Sequence, residues 1–145
     1  MNKGQSMFEV VLALFIITLI IVAVVILSTT SISNSLFSRN KTLANKYSQE
    51  AIEWLRSQRE ENFASFTTAA DTPVYCLNSL AFTNVGLCLD TEIITSTIFK
   101  RELTFSKSVI SGKNIISATV VTSWSDSKGL HQARAVTNFS DIREQ

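Results

Sequence analysis

"KGQSMFEVVLALFIITLIIVAVVIL", residues 3 to 27, decides how this 145-residue chain is read. From Val10 to Leu27 only Thr18 is polar, and Met7 and Phe8 extend the apolar run at its front. That length is close to the roughly 20 residues with which an α-helix crosses about 30 Å of hydrocarbon. A secretory signal peptide has a shorter apolar core, about 7 to 15 residues, closed by a small-residue cleavage site of the A-x-A kind. The run here is longer and continues into "STTSISNSLF" without such a site. The sequence therefore predicts a spanning helix. Lys3, the cation ahead of it, biases the N-terminus to the cytoplasm and residues beyond about 30 to the outside.

One carboxylate, Glu9, stands near the front edge of this run. Read locally, Ser6-Met7-Phe8-Glu9 is an S-x-x-E capping box, and the helix dipole favours an acid in the first turn. The flanks add more. A very short basic leader ends in Gly4, the carboxylate follows five residues later, and the apolar helix is uninterrupted from there. On these residues "KGQSMFEVVLAL" resembles the class III signal of type IV prepilins and the related pseudopilins.

The resemblance implies that residues 1–4 are a leader, cut after Gly4 by a membrane peptidase that also methylates the new terminal amine of Gln5. Glu9 matches the family's glutamate at the fifth mature position. The implied partners are other pilin subunits, major and minor, the prepilin peptidase/methylase, the inner-membrane assembly platform, and membrane lipid before assembly. Two features depart from the family pattern. The first mature residue is commonly Phe or Met, whereas Gln5 is polar. The family's major subunits often carry a kinking proline late in the span, but the only proline here is Pro73, so nothing local predicts a kink.

Physical chemistry gives Glu9 a purpose within that reading. A carboxylate inside an apolar helix bundle costs a few kcal/mol or more unless it is paired. The α-amine of Gln5, with a reference pKa of about 8, is the expected partner. Donated by a neighbouring subunit, it would neutralise Glu9 only at the correct stagger, so the charge acts as a register mark in a low-dielectric setting.

Beyond the span, "SNSLFSRNKTLANKYSQEAIEWLRSQREENF" continues the helix with a narrower apolar stripe of Leu36, Leu43, Tyr47, Ala51 and Trp54 or Leu55. A single helix from Ser6 to Arg59 would be about 80 Å long. Tyr47 and Trp54 read as core anchors. Glu50, Glu53, Glu60 and Glu61 alternate with Arg56 and Arg59 as a solvated face of i,i+3 and i,i+4 pairs. Residues 61–73 read as a loop, and 74–142 as an antiparallel sheet. In "IFKRELTFSKS", Phe99, Leu103 and Phe105 share one side against Lys100, Glu102 and Thr104. Arg101 falls on the apolar side and is expected at a sheet edge, its stem packed and its head in water. Ile116, Ala118, Val120 and Trp124 share a face, and "SDSKG" then turns the chain, with Gly129 suited to a positive φ.

The predicted fold is thus α+β, a long N-terminal helix on a small antiparallel sheet: leader 1–4, transmembrane assembly half 5–30, and exported domain 31–145. "NKTLANKYSQEAIEWLRSQREENF" with the late "VVTSW...HQARAVTNF" is similar to PilV-type minor pilins. Cys76 and Cys88, twelve positions apart, suit a short disulfide loop in an oxidising compartment, and two buried free thiols are the competing reading.

Thirteen basic and twelve acidic residues, net +1, supply no field that would point to nucleic acid. Two cysteines and a single His131 do not make a metal site, no Gly-rich phosphate loop is present, and no cofactor is expected. His131 has no evident catalytic partner, since Asp126 and Ser127 lie in a turn. The expectation is therefore a structural subunit, a minor pilin held in the inner membrane before assembly and in an extracellular filament after it. The alternatives are a minor pseudopilin of a type II secretion or DNA-uptake system, in a periplasmic pseudopilus, and a non-polymerising, single-pass membrane-anchored binding module.

Overall fold

In the computed structural model, residues 7–110 and 113–140 are described. Helix α1 spans Met7–Glu61 and a short α2 spans Phe63–Ala69; four strands follow, β1 Val74–Cys76, β2 Lys100–Ile110, β3 Lys113–Asp126 and β4 Gly129–Ser140. The strands form one antiparallel sheet in the order β1-β2-β3-β4. The α+β layout is as the sequence predicts. The chain divides into two compact units that meet between Arg39 and Asn40.

In the first unit the described residues, 7–39, are helical, and every residue from Met7 to Leu27 is exposed. A helix that is apolar all round is stable only when something apolar covers it, either lipid or other helices. One helix near the N-terminus is therefore long and apolar enough to cross a membrane.

In the second unit the α1 segment from Asn40 onward lies on the sheet. Its buried residues are Ala44, Ser48, Ala51, Ile52 and Leu55, with Leu43, Tyr47 and Trp54 half-buried. The seam keeps Ala51 and Leu55 of the predicted stripe but runs through Ala44 and Ser48, one position beyond Leu43 and Tyr47, and Leu36 is exposed. Small side chains at Ala44, Ser48 and Ala51 share the contact with Ile52 and Leu55, while Leu43, Tyr47 and Trp54 flank it; a reading weighted by hydrophobicity selects the flanks at its outer end. Tyr47 and Trp54 do pack on the core, against Phe99 (ring centroids 5.3 Å apart) and Phe82 (4.6 Å).

The sheet's inner face carries Leu103, Phe105, Ile116, Ala118, Val120, Trp124, Ala133 and Phe139, all at most 5% exposed. Thr122 shares this face, and its hydroxyl meets that of Ser48 at 2.8 Å, so a buried polar pair bolts α1 to β3. Residues 61–73 are not the plain loop predicted. Asn62 caps α2, its side-chain oxygen accepting from Ser65 N at 3.0 Å, and Phe66 drops into the core edge-on to Phe105 and Phe139. A seven-residue helix is too short to show a period in sequence, which is why it is missed. Nor is 74–142 strand throughout: residues 77–99 wrap the sheet and pair only at Tyr75–Val85. The hairpin is as expected, with Asp126 facing Gly129, whose φ of 118° is glycine's province.

Candidate functional site

Two regions carry the functional question, the front of α1 and the loop joined by the cysteines. Gly4 and Gln5, the expected cleavage and methylation positions, and Ser6 of the capping box lie outside the described residues. Glu9 sits in the first turn of α1 and is exposed.

The polar groups of the apolar segment sort into two kinds. Thr18 donates its hydroxyl to Phe15 O at 2.8 Å. At the far end Ser28 bonds to Val24 O at 2.8 Å, and Thr29 and Thr30 bond to Ile26 O at 3.0 and 2.9 Å. These hydroxyls are satisfied within the helix and can enter hydrocarbon at little cost. Glu9 differs: among the described residues its carboxylate has no hydrogen bond or ion pair. It is the one acidic or basic side chain between Met7 and Arg39.

Cys76 and Cys88 form a disulfide, with Cα atoms 4.8 Å apart. The closed loop is latched to β2 by the Cys88 amide, which donates to Glu102 Oε1 at 3.0 Å, and by Leu77 N, which donates to Arg101 O at 2.7 Å. Val85 and Leu87 stand outward on it and Leu89 just beyond it, each about two-thirds exposed or more.

Arg101 is the residue that sequence reasoning misplaced. Its strand β2 is flanked on both sides, by β1 and β3, so there is no edge from which the head could reach water. The side chain is 2% exposed; Nε donates to Leu77 O at 3.0 Å, and Nη1 to Tyr47 O and Glu50 Oε2, each at 3.1 Å. Burial lowers its pKa from the usual arginine value, and the Glu50 carboxylate opposes that shift. The signal in the sequence was the arginine's place on the apolar side of an alternating strand; what was missing was which partners the fold would bring to it.

The charged face of α1 is partly as expected. Arg56 pairs with Glu53 at 2.6 Å, but Glu50 turns to Arg101, and Arg59 lies over the Phe139 ring at 5.7 Å. His131, expected to lack a partner, meets Asp126 Oδ1 at 2.9 Å, because the tight hairpin brings the two together. That contact, followed by the Lys128 amide, holds the Asp126 carboxyl below the usual carboxylate range. The ring of His131 also packs on Trp124, 5.2 Å between centroids. Two open depressions, of about 260 Å³ beside Gln58, Asn62 and Phe82 and about 430 Å³ beside Asp90, Ile98, Lys100 and Leu130, do not include His131 in their lining. No group of three or more His, Cys, Asp or Glu among the described residues could hold a metal ion.

No protein-family profile, curated protein or solved structure matches the chain.

Proposed function

We propose that the chain is a minor structural subunit of a type IV pilus, cut after Gly4 and assembled through its apolar helix, with Glu9 paired to the terminal amine of a neighbouring subunit's first mature residue. The observation that carries the reading is the first unit itself: a helix apolar on every side, its hydroxyls internally bonded, holding one carboxylate at its front that the described chain leaves without a partner. A simple membrane anchor uses that carboxylate only to cap its helix, whereas an assembling helix also uses its charge. In lipid Glu9 is costly; beside the cationic amine of Gln5 from another copy it is neutralised, so transfer from lipid to a correctly staggered bundle is favoured. The sheet domain, cross-linked by its disulfide, is then the part displayed outside.

Mass spectrometry of the N-terminal peptide of protein recovered from cells tests the processing step. The expected peptide begins at Gln5 with a methylated amine; a start at Met1 sinks the proposal and leaves an anchored module. Glu9→Gln keeps a hydrogen-bonding side chain and removes the charge. A pair worth about 1.4 kcal/mol or more predicts at least about tenfold less incorporation into filaments. Normal incorporation would refute the pairing.

A further inference from the structure

The sheet treats its two edges differently. The β1 edge is three residues long, and the chain returns to cover it: Cys76 N donates to Asn84 O and Gly86 N to Val74 O, both at 2.9 Å, pairing Val85 with Tyr75. The β4 edge runs twelve residues in unbroken register with β3, without bulge or proline. Sheets ordinarily guard such an edge with short strands, bulges, proline, charge or a covering segment. Here the guard is at one end, where Lys41 Nζ donates to Gln132 O at 2.6 Å.

Which backbone groups face outward follows from the hairpin. A two-residue turn closes on Asp126 and Gly129 as a bonded pair, and bonded and non-bonded pairs alternate from there. Trp124–His131, Thr122–Ala133, Val120–Ala135, Ala118–Thr137 and Ile116–Phe139 are then bonded. The intervening Gln132, Arg134, Val136, Asn138 and Ser140 turn both N–H and C=O away from β3. That Lys41 reaches the Gln132 carbonyl from outside agrees with this assignment. From Arg134 to Ser140 no group among the described residues bonds to this outer row.

We propose that β4 from Arg134 to Ser140 is a docking edge that receives an extended strand of another protein chain, with an acidic side chain of that strand opposite Arg134. Donors and acceptors repeating along an extended backbone are matched by another extended backbone, not by a helix or a lipid surface. The molecule uses the same solution at its opposite edge, where residues 84–86 are laid on β1. Lys41 closes the Gln132 position and so sets where the incoming ladder begins. Charge sets the partner's chemistry: Lys41 and Arg134 are both cationic, and Arg134's own contact, to Thr119 Oγ1 at 3.5 Å, is long for a hydrogen bond and leaves its charge uncompensated among the described residues. Val136, 55% exposed, offers an aliphatic neighbour for the next cross-strand position. The proposal concerns the sheet domain and does not rest on the filament reading.

The test is amide hydrogen exchange, read by NMR on the full chain in detergent micelles, with a synthetic peptide of alternating Thr and Val carrying one central Glu as the probe. In the free chain the amides of Arg134, Val136 and Asn138 should exchange fast, while those of Ala133, Ala135 and Thr137 exchange slowly. At nine-tenths occupancy the peptide should slow the first set about tenfold. The same peptide N-methylated at every amide should do nothing. Arg134→Glu should weaken the Glu peptide about two- to fivefold and strengthen a Lys version correspondingly. Val136→Pro removes an outward N–H without touching the β3 ladder, and should abolish binding while Ala133 and Ala135 stay protected. No slowing by the Glu peptide, equal slowing by the N-methylated one, or binding that survives Val136→Pro would overturn the proposal. So would outer amides already slow in the free chain; if that slowing grows with protein concentration, the occupant is a second copy instead.

Discussion

Replacing Arg101 with methionine separates what its hydrogen bonds contribute from what its stem contributes by packing. The guanidinium is 2% exposed and joins α1, through Tyr47 O and Glu50, to the disulfide loop, through Leu77 O. Methionine keeps most of the stem's volume and removes every donor. Tyr47 O lies within the helical ladder and Glu50's side chain is half-exposed, so both have other partners when Arg101 is gone. The carbonyl of fully buried Leu77 loses its side-chain donor and is not reached by water. One buried acceptor left unsatisfied costs about 1–3 kcal/mol, and no longer burying a charge offsets part of that, for a net of about 1–2 kcal/mol. Arg101→Ala also removes the packed stem and leaves a cavity, about 3–5 kcal/mol in all. Glu50→Gln, on the exposed side of the pair, should cost under about 1 kcal/mol. Urea and thermal unfolding of the full chain in detergent, followed by the fluorescence of buried Trp124, reads all three. At about 4–8 °C per kcal/mol, Arg101→Met should lower the midpoint by roughly 5–15 °C. If Arg101→Met unfolds like the native chain, the bonds add nothing beyond packing. If Glu50→Gln costs as much as Arg101→Met, the ion pair and not the carbonyl latch is what matters.

The buried Ser48–Thr122 pair gives a double-mutant contrast: Ser48→Ala or Thr122→Val alone orphans one hydroxyl and should cost about 1–3 kcal/mol, and the double variant clearly less than the sum, measured by the same unfolding curves. Reducing Cys76–Cys88, which closes a twelve-residue separation, should remove about 3 kcal/mol, seen as a lower urea midpoint with reductant that is absent in a Cys76→Ser, Cys88→Ser chain. Acid stability should carry a contribution from Asp126. Its folded-state pKa is depressed below 3.8, so the stabilisation is present above that value and is lost as pH falls through the lowered one; Asp126→Asn should therefore flatten the pH dependence of the midpoint below about pH 4.

The parts of the fold legible in the sequence are those set by local chemistry. The apolar run names a helix long and apolar enough to cross a membrane, because length and composition alone decide that. The alternation about Leu103 and Phe105 and the turn at Gly129 name strands and a hairpin because period and positive φ are properties of a few neighbouring residues. The twelve-residue cysteine spacing was compatible with a bridge, and the fold brings the two sulfurs together. Glu9 stood out for the same reason, as a carboxylate in a stretch with no other charge.

What the sequence could not decide depends on residues far apart in the chain. Arg101 reads as an edge residue until β1 and β3 are seen on either side of its strand, and its three acceptors come from residues 47, 50 and 77. The seam's passage through Ala44 and Ser48 is invisible to a count of large apolar side chains, because both residues are small and one is polar. Which strand edge is covered and which is open follows from where residues 84–86 return, a matter of chain path alone. Local propensity and burial tendency are written residue by residue; the identity of a buried charge's partners, and of the surface left over, is settled when distant segments compete for the same space.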